Sequence, residues 1–298
     1  MRTAVLIYNP RSGAHRKRDR AGDVAQFVQR LASHGVEAEP CPTTGPGAAS
    51  ELARRAVADG VDLVVASGGD GTLNEALQGM ARSRTPLGIW PSGTANVLAR
   101  ELGLPTDASA AADVIGWGAE RRIAVGLAGE RYFFLMAGIG LDASIVRGVS
   151  PALKSQFGEG AFWISGLKHY VAWRPEPFTI EVDGTAYEGA FAAVANASSY
   201  GGSFAIAPRA RIDEPLLDVC IFPTRRYAFA YTLDLVACVT GDPTRFGDVT
   251  YLKARSVSAT GSPDNQPWVQ VDGELLGQLP MPFEAVGFAV TVLVDAPR

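Results

Sequence analysis

The sequence predicts a two-domain protein of class α/β plus β. A three-layer α/β domain with a parallel sheet occupies residues 1–125, and a β-sandwich-like domain occupies residues 126–288. The 298 residues are 47% hydrophobic, which is enough apolar material for sizeable cores. Apolar runs alternate with helical patterns up to about residue 125, and short β-prone runs separated by turn residues follow. This change of rhythm predicts the domain boundary.

The first domain is predicted as a series of strand–helix repeats. Each apolar run precedes an amphipathic segment with helical spacing, an order that is typical of parallel strands joined by crossover helices. The predicted strands span 3–8, 36–41, 62–66 and 86–90, and the predicted helices span 17–33, 47–58, 73–80, 96–102 and 108–116.

The second domain is predicted to be mostly antiparallel, because its short apolar runs are separated by turn signals such as Asp183-Gly184. Two helices interrupt the strands, near 153–172 and 226–240, and the tail at 289–294 forms one last strand. The other predicted strands are Ile123–Leu127, Tyr132–Ala137, Phe178–Val182, Ala190–Ala195, Leu217–Phe222, Ser256–Ala259 and Trp268–Val271.

Composition narrows the range of functions. A formal net charge of −4 argues against nucleic acid as a general partner. Cys41, Cys220 and Cys238 lie far apart without C-x-x-C spacing, as expected for a reduced, cytosolic chain. The apolar runs are too short for a signal peptide or a transmembrane span. The densest basic cluster is interpreted as a solvated helix face, and it comprises Arg11, Arg16, Lys17, Arg18 and Arg20.

The most informative segment is SGGDGTLNE at residues 67–75, which follows the apolar run 63–66 and opens a helical pattern. Glycines let backbone N–H groups approach an anion, and a helix N-terminus adds positive potential, so this turn suits a phosphate. A carboxylate at Asp70 would repel phosphates unless a divalent cation bridges them or the group acts as a base. The segment therefore predicts Mg-nucleotide chemistry.

Two more strand-to-loop transitions carry small polar residues. The strand at 4–8 runs into NPRSG at residues 9–13, and the apolar run 86–90 runs into PSGTAN at residues 91–96. Ligands bind at the carboxyl ends of strands in open α/β sheets. The three loops together predict one ligand site.

In this order and at this spacing, NPRSG, GGDGTLNE and PSGTANVLAREL resemble the catalytic domain of diacylglycerol kinases, sphingosine kinases and bacterial lipid kinases. The resemblance covers essentially the whole chain. It implies an NAD kinase/phosphofructokinase-like first domain, a C-terminal segment 289–298 that returns to it, and a site in the cleft between the domains. The later segments that carry it are Thr43-Thr44, Gly47-Ala48, Ala137–Ala143, Asn196-Ala197, Tyr200–Gly202, Ala207–Ala210 and Val271–Glu274.

The resemblance also implies roles for individual residues. Asp272 is placed as general base and Asp70 as the carboxylate that organises Mg²⁺ and nucleotide phosphates; which of the two takes the proton stays open. A structural Mg²⁺ is implied at Arg211, Glu214 and Leu216, although Glu214 and Pro215 replace the usual Asp and Gly. The implied ATP contacts are Asn9, Ser12, Gly13, Thr44, Gly68, Gly69, Gly71, Thr72, Glu75, Ser92, Gly93, Thr94, Asn96 and Glu274.

Each site residue also has a purely structural interpretation. Asp70 is a candidate cap for a helix that begins near Leu73, and Ser92 or Thr94 for the helix that follows. Asn9 and Thr44 suit ordinary turns, and Asp272-Gly273 suits a type I′ hairpin.

Three other features receive structural interpretations. Gly138 and Gly140 match a dinucleotide fingerprint, but the parallel strand with an acidic end that should follow is missing, so close backbone packing is the better interpretation. The apolar stretch 161–173 suits either an acyl-chain mouth or packing against the sheet. The three histidines, His15, His34 and His169, share no metal-ligand spacing.

The sequence thus predicts an ATP- and Mg²⁺-dependent lipid kinase that meets a lipid hydroxyl at the membrane surface from the cytoplasm. Diacylglycerol-like and sphingoid acceptors both fit, and a homodimer is left open. The alternatives are a soluble NAD kinase-like enzyme and a nucleotide-binding regulator without turnover.

Overall fold

The computed structural model describes residues 1–12, 19–148, 175–198, 206–225, 231–246 and 248–296. They fall into two compact units, one of residues 1–123 with 288–298 and one of residues 124–287. Gly13, His15, the basic residues 16–18, Tyr200–Gly202, the apolar stretch 161–173, His169 and the predicted helix 153–172 lie outside the described residues.

The elements of the first unit alternate as predicted. They are β1 (Arg2–Tyr8), α1 (Arg20–Ser33), β2 (Val36–Pro42), α2 (Ala48–Ala58), β3 (Leu63–Gly68), α3 (Asp70–Met80), β4 (Leu87–Pro91), α4 (Val97–Glu101) and α5 (Ala108–Trp117).

The remaining elements begin with a strand that leaves the first unit. They are β5 (Ala119–Ala128), β6 (Arg131–Phe133), β7 (Met136–Gly140), α6 (Leu141–Gly148), β8 (Phe178–Val182), β9 (Thr185–Gly189), β10 (Phe191–Ala195), β11 (Leu217–Phe222), α7 (Thr232–Val239), β12 (Thr250–Ala254), β13 (Ser256–Thr260), β14 (Trp268–Val271), β15 (Glu274–Gln278) and β16 (Met281–Val294).

The sheet of the first unit is parallel. Its strands lie in the order β2-β1-β3-β4, and the last residues of β16 add a fifth strand in which Val292 lies opposite Leu87. Because all these pairs are parallel, the strand ends that precede the three loops lie at the same edge. The prediction of a parallel α/β fold is confirmed.

Helices cover both faces of this sheet. Leu6, Leu63 and Val65 face a core that includes Phe27 of α1 and Ile115 of α5. Successive strand residues point to opposite faces. The intervening residues therefore face the other layer, where α2 packs against α3 and both contact the sheet. Three layers result, as the sequence predicts.

The second unit is a sandwich of antiparallel sheets. One has the order β12-β11-β10-β7-β14-β15, and in the other β13 pairs with both β8 and the first residues of β16. Ile139, Val194 and Val219 from the first sheet share one buried core with Ile180 and Phe283 from the second. The sandwich-like prediction is confirmed.

Several predicted boundaries were wrong. The strand expected at 132–137 is two strands, β6 and β7, separated by Phe134 and Leu135. Strands β9, β12 and β15 were not expected; β9 and β15 are largely exposed, so they lack the apolar runs on which strand prediction relies. The expected helix 226–240 is described only as α7. Helix α3 begins at Asp70 rather than near Leu73.

The contact between α2 and α3 depends on Gly79. A Cβ at this position would overlap the carbonyl oxygen of Ser50 and lie 2.9 Å from the Cβ of Ala53. We predict that Gly79→Ala lowers stability by about 1–3 kcal/mol, although alanine is ordinarily the better helix residue. Gly22→Ala in α1 is the matched control, because its Cβ would meet only the Asp19 side chain, 2.7 Å from Oδ2. Urea unfolding of both variants measures the difference, and equal stabilities would contradict the packing argument.

Candidate active site

Three loops meet at the carboxyl edge of the parallel sheet. The N–H of Asn9 donates to the carbonyl of Ser67 (2.9 Å), and the N–H of Ser92 donates to the carbonyl of Gly68 (2.9 Å). The loop after β2 joins them, because the N–H of Thr43 donates to the carbonyl of Tyr8 (2.9 Å). The structure therefore brings together the loops after β1, β2, β3 and β4, and with them most of the residues predicted to contact ATP.

Glycines allow this close approach. A Cβ on Gly93 would collide with the Cα of Gly69, and a Cβ on Gly68 would collide with the side chain of Thr72. The N-cap of α3 is Gly69, which offers no side chain to the first N–H groups of the helix. These N–H groups have no partner within a helix, so they are available to an anion.

Asp70 stabilises the neighbouring loop rather than capping its own helix. It occupies the first turn of α3, and its Oδ1 accepts a hydrogen bond from the N–H of Leu98 (3.2 Å), in the first turn of α4. The alternative structural interpretation, in which Asp70 caps its own helix, was wrong. Within the described part of the chain, no ion pair involves Asp70.

Two predicted nucleotide contacts have their side chains engaged in the protein. The side chain of Asn96 accepts from the N–H of Gly93 (2.9 Å) and donates to the carbonyl of the same residue (3.1 Å). Asn96 itself has φ of 48°, so this bidentate contact stabilises a left-handed turn. Glu75 caps α2, because its Oε2 accepts from the N–H of Ala49 (3.1 Å). Both side chains shape the loops.

Other predicted contacts are open to solvent. Thr44 and Thr94 are exposed in their loops, Gly71 is exposed in the first turn of α3, and Thr72 is half-buried against Gly68. Asn9 folds its own loop, since its Oδ1 accepts from the N–H of Arg11 (2.9 Å).

Ser12 and Ser92, two of the predicted ATP contacts, belong to a cluster at this edge whose other members, Ser67 and Arg20, sequence reasoning missed. We call Ser12, Ser67, Ser92 and Arg20 the serine–arginine cluster. The Oγ of Ser92 lies 2.8 Å from that of Ser12 and 3.4 Å from that of Ser67. Arg20 Nη2 donates to Ser67 Oγ (2.7 Å) and to Ser92 Oγ (3.2 Å). The interpretation of Arg20 as part of a solvated helix face was wrong, because its side chain packs over the ring of Trp90, 4.5 Å from the ring centroid.

Asp272 belongs to the second unit and lies in the turn between β14 and β15. With φ of 47° at Asp272 and 81° at Gly273, this is the predicted two-residue hairpin, and Val271 pairs with Glu274 across it. The carboxylate does more than complete the turn. It accepts three backbone hydrogen bonds, from the N–H groups of Phe134 (2.8 Å), Leu135 (3.0 Å) and Met136 (3.1 Å).

The segment 134–136 explains these contacts. It is buried between β6 and β7, and buried N–H groups must find acceptors. Asn196 donates hydrogen bonds to two carbonyl groups of this segment. The Nδ2 of Asn196 donates to Phe134 O (2.7 Å), and the backbone N–H of Asn196 donates to Leu135 O (2.8 Å). Asp272 and Asn196 therefore satisfy backbone groups at the junction of β6 and β7, where strand pairing begins only with Met136 opposite Ala195.

A second buried network supports the same hairpin. Gln270 accepts from the N–H of Gly273 (2.7 Å) and donates to the buried carboxylate of Asp142. A Cβ at Gly138 would overlap this carboxylate, and one at Gly140 would overlap the carbonyl of Ala190. The predicted close packing at these glycines is confirmed.

Glu274 is paired within the second unit. Its Oε2 accepts from Arg131 Nη2 at 2.8 Å, and both side chains are partly exposed. The structure places this predicted ATP contact in an ion pair.

The loop predicted to hold a structural Mg²⁺ contains protein cations instead. Glu214 Oε2 lies 2.6 Å from Lys253 Nζ, and Glu214 Oε1 lies 3.3 Å from Arg211 Nε. The backbone carbonyl of Arg211 accepts the N–H of Glu214 (3.0 Å). Both carboxylate oxygens thus already face a cation. The implied ligands at Arg211 and Leu216 are backbone carbonyls, so the structural Mg²⁺ site stays a prediction in which the ion competes with Lys253 and Arg211 for Glu214.

Lys253 also faces a buried carboxylate. Its Nζ lies 3.9 Å from Oδ2 of Asp218, a residue that is 1% exposed. Burial raises the pKa of Asp218 above its ordinary value, while the hydrogen bond from Tyr251 and the charge of Lys253 act in the opposite direction. In the described residues, no group of three or more metal-ligating side chains is present.

Comparison with known proteins identifies the class of this fold and site. Residues 3–128 match the family model described as "Diacylglycerol kinase catalytic domain". Residues 136–294 match the family model described as "YegS C-terminal NAD kinase beta sandwich-like domain". Together they define a kinase catalytic domain followed by a sandwich domain.

The relatives agree with this class. A diacylglycerol kinase from Bacillus subtilis (strain 168) is 32% identical over 288 residues, covering 95% of this chain and 93% of the relative. One from Staphylococcus saprophyticus is 32% identical over 285 residues, covering 94% and 91%. The chain belongs to the diacylglycerol kinase family, whose members are phosphotransferases with an alcohol group as acceptor.

Solved structures show the same fold. A diacylglycerol kinase from Bacillus anthracis strain Sterne has a TM-score of 0.80 at 24% identity, covering 99% of this chain and 97% of that one. Within the described ranges, every helix falls short of the length and apolarity that a membrane crossing requires.

We predict that Asp272→Asn is not silent, although Asn-Gly suits the hairpin as well as Asp-Gly. The substitution replaces one acceptor oxygen with an NH₂ group that faces a backbone donor. We expect a loss of about 1–3 kcal/mol in the free energy of unfolding. Asp183→Asn is the matched control, because Asp183 (φ 49°) and Gly184 (φ 79°) form the same kind of turn between β8 and β9 on the surface. Urea unfolding that fails to separate the two variants would refute this assignment.

We also predict that Mg²⁺ without nucleotide leaves the thermal unfolding of the protein unchanged. The positive charges beside Glu214 belong to the side chains of Lys253 and Arg211, so EDTA should remove no ion from this loop. Melting temperatures in EDTA and in excess Mg²⁺ test this, with Glu214→Gln as the control. A Mg²⁺-dependent rise that the Glu214→Gln variant loses would restore the metal site.

Proposed function

We propose that the chain is an ATP-dependent lipid kinase that transfers the γ-phosphoryl group to the hydroxyl of a diacylglycerol-like or sphingoid-type lipid. The observation that carries this proposal is the meeting of the glycine loops after β3 and β4 at the N-terminus of α3. Phosphoryl transfer depends mainly on positioning and electrostatic stabilisation of the phosphates. Because the N-cap of α3 is a glycine without a side chain, the N–H groups of the first helical turn can both position the phosphates and stabilise their charge.

Asp70 is the residue that we propose to hold Mg²⁺ with ATP. Its carboxylate is half-buried beside these N–H groups and takes one backbone hydrogen bond, from Leu98. Mg²⁺ is bound through one or two carboxylates together with substrate phosphates, and this donor fits that pattern. When bound, the ion supplies positive charge against the oxygens of the transferring group.

Either Asp70 or Asp272 is proposed to take the proton of the acceptor hydroxyl. An ionised carboxylate has about four acceptor positions. Backbone N–H groups occupy three of these at Asp272 and one at Asp70. Asp272 is therefore held rigidly, whereas Asp70 retains more capacity for new partners. This contrast makes the two carboxylates separable by substitution.

The acceptor is proposed from the relatives, which are named diacylglycerol kinases, and its lipid nature implies action at a membrane surface. We place the protein on the cytoplasmic side, because ATP and Mg²⁺ are its proposed co-substrates. The competing enzymatic function is phosphorylation of a soluble acceptor such as NAD. The non-enzymatic alternative is nucleotide binding without turnover. Both are outcomes of the assay below.

We expect label from [γ-³²P]ATP to appear in an organic-extractable product when the protein is given detergent-dispersed diacylglycerol or sphingosine and Mg²⁺. Label in NAD and none in lipid would show that the protein phosphorylates a soluble acceptor. Binding of ATP without any labelled product would indicate a nucleotide-binding regulator without turnover.

In the same assay, Asp70→Asn should lower turnover about 10²–10⁴-fold. The fold should survive, because an Asn oxygen can still accept from Leu98. Asp107→Asn is the matched control, since Asp107 also caps a helix, accepting from the N–H of Ala110 (3.0 Å) on the surface. If Asp70→Asn behaves like Asp107→Asn, Asp70 is only a cap.

A further inference from the structure

Among the described residues, no carboxylate forms an ion pair with Arg20. Its guanidinium is half-buried, and the charge of Asp23, one turn further along α1, acts on it without an ion-pair contact. Its Nε is buried without a hydrogen-bond partner in the same part of the structure. Buried charges in proteins are normally paired, so a half-buried guanidinium without an ion-pair contact retains the capacity to bind an anion.

The position of Arg20 is determined by several contacts at once. The guanidinium lies over Trp90, which is 4% exposed and stacks on Phe27 with 4.0 Å between ring centroids. Its Nη2 donates to the hydroxyls of Ser67 and Ser92. The end of β3, the loop after β4 and a stacked aromatic pair therefore hold the guanidinium in one place. Such preorganisation lowers the cost of binding a ligand.

The surroundings are those of a phosphate site. The hydroxyl group of Ser92 lies within hydrogen-bonding distance of the hydroxyl groups of both Ser12 and Ser67. Hydroxyls can turn to donate to an anion, and a guanidinium presents up to five donors.

We propose that Arg20 is a phosphate-binding residue of the ATP site, with Ser12, Ser67 and Ser92 as its hydroxyl partners. The inference rests on the proposed function, because it takes the polyphosphate of ATP as the anion. Arg20 binds and positions phosphate oxygens; it takes no proton. Burial lowers the pKa of its guanidinium, but an arginine remains charged at neutral pH.

The test is a titration series on the full chain with ATP, ADP and adenosine in the presence of Mg²⁺, monitored by calorimetry. In Arg20→Met the affinity for ATP should fall about 10- to 100-fold while the affinity for adenosine stays unchanged, because only the phosphates are contacted. Arg20→Lys keeps the charge and should recover part of the loss. Arg30→Met is the matched control on the same helix, since Arg30 pairs with Asp113 on the surface (Nε–Oδ1 2.9 Å).

Each outcome decides the proposal. Equal ATP affinity in wild type and Arg20→Met overturns it, even if the melting temperature falls. Equal losses for ATP and adenosine show that Arg20 only supports the structure, and this also overturns it. Should Arg20→Met fail to fold, the ratio of ATP to adenosine affinity in Arg20→Lys gives the answer, and an unchanged ratio counts against the proposal. A wild type that binds no ATP at all would instead refute the proposed function.

Discussion

The close approach of Gly69 and Gly93 is the constraint on which the candidate site depends. No side chain fits at Gly93, because a Cβ there would collide with Gly69. This contact lets Asp70 reach the N–H of Leu98 and lets Ser92 lie beside Ser67. It also leaves the first N–H groups of α3 uncovered. Backbone geometry, more than any single reactive side chain, therefore creates the anion site.

The sequence predicted this part well, for a local reason. A strand, a glycine turn and a helix start are encoded in one short segment, Leu63–Glu75, so the loop and its place at the sheet edge follow from pattern alone. Parallel strands then bring such loops together without further information. The alternation along the first unit supplied that second step.

What the sequence could not reveal depends on contacts between distant residues. Asp272 meets the N–H groups of Phe134 to Met136, and the partners are about 136 positions apart. Arg20 meets Ser67 and Ser92 only because three loops fold onto one edge. The Asp-Gly pair at 272–273 was correctly predicted as a hairpin, but the buried backbone that needs its carboxylate carries no pattern of its own. At Glu214, substitution of the usual Asp was visible, whereas its pairing with Lys253 was not.

Asp70 and Asp272 thus have different structural roles: Asp70 accepts a hydrogen bond from Leu98, and Asp272 accepts from Phe134 to Met136. A catalytic role of either carboxylate must be compatible with these contacts. We propose that the α3 N-terminus and the loop after β4 bind the phosphates of ATP. A crystal structure with Mg²⁺ and a non-hydrolysable ATP analogue would test this. We expect phosphate oxygens within hydrogen-bonding distance of the N–H groups of residues 70–72, with Mg²⁺ on Asp70. A triphosphate bound away from both loops would contradict it.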